Sequence, residues 1–266
     1  MHNYKLVFSY TGTHFFGSQY QPGRRTVEGE FSKSIKKALG LPFSFLASGR
    51  TDAGVHAAGQ VASLRISQKI PPERLLRCLA HCMPPDIVLQ NVFLEDFHFH
   101  PRFSARLREY HYLYTTSKKS LPFSCSEFVT QIPFNVGFES VNSLLTAIQG
   151  THDFSAFRCL GSTEKSTRKT VFSCDMINDS FVTPFSGSVD VVRFRIVADS
   201  FLYRMVRCLM GALFEVMRHP GKAELFLDNL HFGKKVMTYA LAPAKGLTLV
   251  RVGYENPING NWERRF

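Results

Sequence analysis

The chain has 266 residues, of which 44% are hydrophobic and 20% charged, the composition of a globular protein with one large domain or two ordinary ones. Lys and Arg outnumber Asp and Glu by 32 to 21, and the resulting net charge of +11 favours a polyanionic partner, most commonly nucleic acid. Residues 1–5 lack the features of a signal peptide, and no stretch approaches the roughly 20 apolar residues of a membrane span. We therefore expect a cytoplasmic protein with no membrane partner.

The first half of the chain alternates strand and helix patterns in the order βαββαβ. Thr26 can cap a first helix, in which Phe31 and Ile35 continue an apolar face with a spacing of four residues. A second helix is predicted to begin near Pro72. The predicted strands are residues 4–10, 43–47, 60–66 and 86–94.

The second half repeats this order with longer insertions. A helix over residues 202–217 places Arg204, Arg207 and Gly211 on roughly one face, because they are spaced by three and four residues. Another helix is predicted around residues 138–148. The predicted strands are residues 110–116, 128–132, 169–177, 189–197 and 246–254.

These patterns predict an α+β fold built from two βαββαβ units, similar to ferredoxin-like and RRM domains. Each unit is expected to form a mainly antiparallel sheet with helices on one side, and a basic cleft between the two sheets is the natural place for a site. A polar and basic connector lies at residues 100–108. We therefore assign residues 1–103 to an N-terminal domain and residues 104–266 to a C-terminal domain.

The segment 48–56, which reads Ser-Gly-Arg-Thr-Asp-Ala-Gly-Val-His, lies between two predicted strands. Gly49 and Gly54 permit tight turns and the close approach of a ligand. The small neighbours of Asp52 leave its carboxylate open to a ligand. Taken alone, however, an aspartate in a turn usually hydrogen-bonds its own backbone. The interpretation of Asp52 therefore depends on the longer motif around it.

The string GRTDAGVHAAGQV at residues 49–61 resembles the signature around the nucleophilic aspartate of TruA-type tRNA pseudouridine synthases. Further blocks resemble the same family in the same order: YTGT with FG and QP, FSAR with YHY, GTHDF, FLYRMVR and APAKGL. Together they cover nearly the whole chain. Three positions depart from the family pattern, since Thr11 replaces an Asp, Ser18 a common Trp and Ala244 a Pro. The sequence does not reveal whether Ser18 alters a substrate contact or local packing.

The resemblance implies a homodimer that isomerises uridine to pseudouridine in the anticodon stem-loop of tRNA, at positions 38, 39 and 40. In this reaction the base is detached from C1′, rotated and rejoined through C5, without gain or loss of atoms and without a redox step. Neither a cofactor nor a metal is therefore expected. The sequence contains no phosphate-binding glycine loop and no C-x-x-C zinc spacing. Which tRNAs are preferred, and whether all three positions are modified, stays open.

The resemblance also assigns roles to individual residues. Asp52 is the nucleophile, and it attacks C1′ or C6 or assists departure of the base through a glycal; the sequence leaves this choice open. Arg207 pairs with Asp52, because an ionised nucleophile needs a nearby cation that stabilises its charge and fixes its orientation. Tyr110 is expected to stack on the target uracil. Arg50 is expected to enter the space that a flipped-out base leaves behind.

Other cations are candidates for contacts with the RNA backbone. Each one alone is equally consistent with a solvated surface charge, but as a set they fit the excess positive charge of the chain. These residues are Arg24, Arg25, Arg106 and Arg168.

Two rival functions are compatible with parts of the sequence. A non-catalytic RNA-binding protein with two RRM-like halves would also be basic, although the RNP signature of RRM domains is absent. A glycoside hydrolase could also use Asp52, but that chemistry usually needs a second carboxylate. The segment around Asp52 contains no other acidic residue.

Overall fold

The computed structural model describes residues 1–132, 134, 138–161, 164, 166–183 and 187–255. Within these ranges, ten strands form one mixed and mostly antiparallel sheet. The main helices bury their apolar sides against this sheet in two adjoining cores, one for each half of the chain. The α+β class predicted from the sequence is confirmed. None of the helices in the described ranges combines the length and apolar character of a membrane-spanning segment.

The first half has the predicted element order, and its strands are arranged β4-β1-β3-β2 with antiparallel neighbours. Strand β3 begins earlier than the sequence indicated, because His56 and Ala57 pair with a strand from the end of the chain. The elements are β1 (His2–Tyr10), α1 (Val27–Leu39), β2 (Phe43–Ala47), β3 (His56–Ile66), α2 (Pro72–Cys82) and β4 (Ile87–Glu95).

Helix α1 begins and ends where its local sequence dictates. The Thr26 hydroxyl accepts a hydrogen bond from the Gly29 backbone N–H at 3.2 Å, which satisfies one of the free donors of the first turn. The helix ends at Gly40, whose φ of 62° is the left-handed conformation that favours glycine. Phe31 and Ile35 are fully buried against the sheet, as their spacing predicted.

The second half repeats the same arrangement of strands, with the order β10-β5-β9-β8. The sequence patterns missed α3, β7 and α6, and only the two residues of β6 form a strand in the region where five were expected. The elements are β5 (Leu107–Thr115), α3 (Phe123–Ser126), β6 (Thr130–Gln131), α4 (Asn142–Ile148), β7 (Gly150–Asp153), β8 (Arg168–Thr183), β9 (Gly187–Ala198), α5 (Met205–Arg218), α6 (Ala223–Phe232) and β10 (Leu247–Gly253).

Strand β10 joins the two halves, so that one continuous sheet replaces the two separate sheets expected from the sequence. It pairs in parallel with the start of β3, at Thr248 and Leu249, and in antiparallel fashion with β5. Strand β2 pairs with the other end of β3, from residue 62 to residue 66. The backbone groups at the start of β3 would otherwise form an unpaired edge, and β10 satisfies them. A domain boundary between residues 103 and 104 stays a prediction.

Helix α5 packs unusually closely against the chain that precedes β10. A Cβ atom added at Gly211 would lie 1.9 Å from the Ala240 carbonyl oxygen. The backbone N–H of Ala242 also donates to the Arg207 carbonyl oxygen at 3.2 Å. Glycine at position 211 therefore sets the distance between this helix and residues 240–242.

We predict that Gly211→Ala destabilises the fold despite the better helix propensity of alanine. The propensity gain is about 1 kcal/mol, but the new methyl group would overlap a backbone oxygen, and overpacking of this kind costs about 1–3 kcal/mol or more. Urea unfolding should show a net loss of stability. Gly221→Ala is the matched control, because a Cβ atom there has no neighbour within 4 Å among the described residues. Equal stability of the two variants would contradict the close approach.

Candidate active site

Asp52 lies in the turn that connects β2 to β3. The turn is closed by a hydrogen bond from the Val55 backbone N–H to the Asp52 carbonyl oxygen at 3.1 Å, and Gly54 adopts a φ of +79°. At the base of the turn, the Ser48 hydroxyl donates to the Gln60 side-chain oxygen at 2.7 Å. The backbone of this loop is thus fixed from within, and the Asp52 side chain remains 15% exposed.

A second segment, at residues 12–18, supports the loop from outside. The Ser18 hydroxyl accepts a hydrogen bond from the Thr51 N–H at 2.8 Å, and the Ser18 N–H donates to the Thr51 carbonyl oxygen at 3.1 Å. The Thr51 hydroxyl in turn lies 2.8 Å from the Tyr10 hydroxyl. Ser18 is only 5% exposed. Its place is therefore in the packing beneath the loop, which the sequence had left open.

Arg207, near the start of α5, reaches the aspartate from the other half of the chain. Its Nη1 atom lies 2.8 Å from Asp52 Oδ2, and its Nε donates to the Ala242 carbonyl oxygen at 2.8 Å. The Arg207 side chain is only 12% exposed. The two contacts fix the guanidinium in one orientation, as a hydrogen-bonded ion pair requires.

Tyr110 is partly buried where the two cores meet. Burial holds the pKa of its phenol well above the ordinary value, and the charge of Asp52 contributes to the same shift. The phenol therefore keeps its proton at neutral pH. The Tyr110 ring contacts Phe201 edge to face, with 5.0 Å between ring centroids. Tyr112 and Tyr114, farther along β5, are fully buried packing residues.

The geometry thus brings a carboxylate and a guanidinium together at the junction of the halves, where the charge of Asp52 also acts on the pKa of the Tyr110 phenol. A family model for tRNA pseudouridine synthases matches residues 6–104 and 145–255. The chain belongs to this family. It is therefore a pseudouridine synthase, an isomerase.

Curated relatives named tRNA pseudouridine synthase A match the synthase over nearly its whole length. The relative from Geobacillus sp. strain WCH70 is 35% identical over 258 residues, covering 95% of this chain and 98% of its own. The relative from Acetivibrio thermocellus is 34% identical, and the match covers 96% of this chain and 100% of the relative. The relative from Gloeobacter violaceus is 34% identical, and the match covers 96% of this chain and 82% of the relative.

The cations predicted from the sequence lie in different environments in the synthase. Arg50 is exposed in the turn that carries Asp52, two residues before it. Arg24 is also exposed, and its guanidinium lies 4.5 Å from the Phe16 ring centroid. Arg106 and Arg168 are exposed on the surface. These four side chains are accessible to a ligand.

Arg25 differs from the other predicted cations, because its guanidinium already has a partner. Its two terminal nitrogens donate to both carboxylate oxygens of Asp86, at 2.6 and 2.8 Å. This pair holds the pKa of Asp86 below its usual range. The arrangement ties the segment before α1 to the start of β4. Arg25 is thus the least available of the predicted backbone contacts.

Arg204 has no role assigned from the sequence, which predicted that it shares one face of a helix with Arg207. The helix begins only at Met205, directly after Arg204. In the synthase, Arg204 Nε lies 3.5 Å from the same Asp52 oxygen that Arg207 contacts. Two guanidinium groups therefore face one carboxylate. Among the described residues, no group of three or more His, Cys, Asp or Glu side chains could hold a metal ion.

His56, the last residue of the 48–56 segment, is a structural residue that the sequence did not reveal. Its Nδ1 accepts a hydrogen bond from the Gly12 N–H at 3.0 Å. Its Nε2 therefore carries the proton and donates to the Glu127 carbonyl oxygen at 3.0 Å. The ring is 2% exposed, and this burial lowers the pKa of His56 below 6.5. The neutral imidazole thereby links the loop to both halves of the synthase.

We predict that His56 makes the stability of the synthase depend on pH. The pKa of His56 is lower in the folded state than in the unfolded state, so the unfolded chain binds more protons between those two values. The contribution of His56 to the free energy of unfolding is complete above about pH 6.5. It is lost as the pH falls toward the pKa that His56 has in the folded state. Urea unfolding of the wild type and of His56→Gln, at a pH above and one below that range, should show a smaller pH dependence for the variant. An equal dependence would contradict the assignment.

Proposed function

We propose that the enzyme isomerises uridine to pseudouridine in tRNA, with Asp52 as the nucleophile. The observation that carries this proposal is the position of Asp52, partly exposed at the junction of the halves with Oδ2 held by Arg207 at 2.8 Å. The resemblance of residues 49–61 to the family signature identifies the same carboxylate. The net charge of +11 suits a polyanionic substrate. The reaction conserves all atoms and needs no cofactor.

The environment of Asp52 suits nucleophilic attack on a nucleoside. Arg207 compensates the negative charge and orients the carboxylate, while the donors of the loop fix its backbone. Attack at C1′, attack at C6 and a glycal route all use this one carboxylate. We expect the Tyr110 ring to stack on the uracil, and its phenol, which keeps its proton at neutral pH, to take part in proton transfer.

Extrusion of the target base costs a few kcal/mol for unstacking, and a side chain that enters the vacated space lowers this cost. We assign this role to Arg50, which is exposed in the same turn as Asp52. Arg24, Arg106 and Arg168 are assigned to the RNA backbone, with Arg25 as the least accessible of the set. The proposed targets are positions 38, 39 and 40 of the anticodon stem-loop. Pseudouridine mapping with alanine variants of these arginines tests both assignments.

Replacement of Asp52 by Asn should abolish turnover and preserve tRNA binding. The amide keeps the shape of the carboxylate but is not a nucleophile, so we expect the rate of pseudouridine formation to fall more than about 10³-fold. Digestion of treated tRNA and mapping of the modified nucleosides measures the rate and the position together. Affinity for tRNA, measured separately, should change by much less.

The same experiment distinguishes the rival functions. A non-catalytic RNA-binding protein would give no pseudouridine with the wild type either, and a glycoside hydrolase would release free uracil. Full activity of Asp52→Asn would remove Asp52 from the chemistry.

We further propose that the enzyme works as a homodimer in the cytoplasm. The family resemblance supports the dimer, and the six cysteines are all free thiols, as is usual in a reducing compartment. Light scattering of the purified protein should give twice the 30.2 kDa mass of one chain. A mass of one chain at micromolar concentration would contradict the dimer.

A further inference from the structure

Arg204 has a strained backbone directly before helix α5. Its φ of 60° and ψ of 15° are left-handed, and it is the sole residue other than glycine with a positive φ in the described part of the chain. This conformation is unfavourable for arginine, and glycine, asparagine and aspartate are the residues that usually adopt it. Its side chain makes no capping hydrogen bond to the helix. Such strain persists where surrounding contacts fix it, and it clusters at functional sites.

The side chain of Arg204 differs from that of Arg207 in its freedom. Arg207 is 12% exposed and bound on two sides, whereas Arg204 is 36% exposed and its ring contact is with Tyr203, at 4.7 Å. The Nε of Arg204 is buried without a hydrogen bond, 3.5 Å from Asp52 Oδ2. Because Nε is buried and the side chain is 36% exposed, the terminal nitrogens are the donors that a ligand can reach, although the guanidinium also interacts with the Cys159 thiol.

The charges at this point do not balance. Arg204 and Arg207 contribute two positive charges, and Asp52 is the one carboxylate that pairs with either of them among the described residues. A partly buried site with an excess positive charge attracts an anion. A guanidinium group is well matched to phosphate, which it binds through two parallel hydrogen bonds.

We propose that Arg204 binds a backbone phosphate of the nucleotide on which Asp52 acts. This inference rests on the proposed function, because it takes the ligand of the site to be RNA. The ribose that carries C1′ also carries its 5′ and 3′ phosphates a few bonds away. A guanidinium adjacent to the nucleophile is thus within reach of one of them. The contact aligns C1′ with the carboxylate and balances the excess charge.

Arg204→Asn is the variant that separates this role from a structural one. Asparagine tolerates the left-handed backbone, so the fold should be retained or become more stable, while the cation is lost. We expect KM for tRNA to rise about tenfold, as for the loss of a charged hydrogen bond, with a smaller effect on kcat. The salt dependence of tRNA binding should become shallower by about 0.7 to 0.9 in the log–log slope, the value for one phosphate contact. Arg204→Lys should restore the slope and part of KM.

Arg218→Asn is the matched control. Arg218 is exposed at the other end of α5, about 20 Å away along the helix, and its loss changes the net charge by the same amount. Its KM and salt slope should stay near those of the wild type. An equal change in both variants would show that the effect comes from net charge, which would overturn the phosphate contact.

Two other outcomes would also overturn the inference. Unchanged KM and salt slope in Arg204→Asn would exclude the phosphate contact, and a fall in kcat alone would mean that Arg204 acts only through Asp52. The salt slope is measured by binding, without turnover. A wild type that binds tRNA but forms no pseudouridine would therefore refute the proposed function and leave the binding test of Arg204 valid.

Discussion

The ion pair between Asp52 and Arg207 is the constraint around which the two halves are arranged. Its partners are 155 residues apart in sequence and meet at 2.8 Å with little exposure. Charges with so little exposure need good geometry and additional hydrogen bonds to be tolerated. The second hydrogen bond of Arg207, to the Ala242 carbonyl oxygen, meets part of this requirement. The position of the nucleophile therefore depends on α5, on the turn after β2, and on the segment that packs between them in space.

Residues 240–246, just before β10, contact both α5 and the turn that carries Asp52. The Ala240 oxygen lies against Gly211 on α5, and Ala244 lies 3.3 Å from the position of a Cβ atom at Gly54, two residues after the nucleophile. The same segment leads directly into β10, which pairs with both β3 and β5. One stretch of backbone thus sets the spacing of the site and completes the sheet.

Local sequence features predicted most of the elements because they need only neighbouring residues. The Thr26 cap and the apolar spacing of α1 lie within one segment, and the structure agrees with both. The patterns failed where a distant partner decides the outcome. Strand β7 has only four residues, and it forms by pairing with β8. Likewise, β3 extends to His56 because β10 lies beside it.

The sequence by itself determined the family, the nucleophile candidate and the two βαββαβ patterns, since each of these is recorded in contiguous residues. Tertiary structure alone decided that the halves share one sheet, that Ser18 packs beneath the loop, and that Arg204 faces Asp52 beside Arg207. These features arise from contacts between segments far apart along the chain. Such contacts leave no periodic pattern in a single sequence, because either partner alone is compatible with many neighbours.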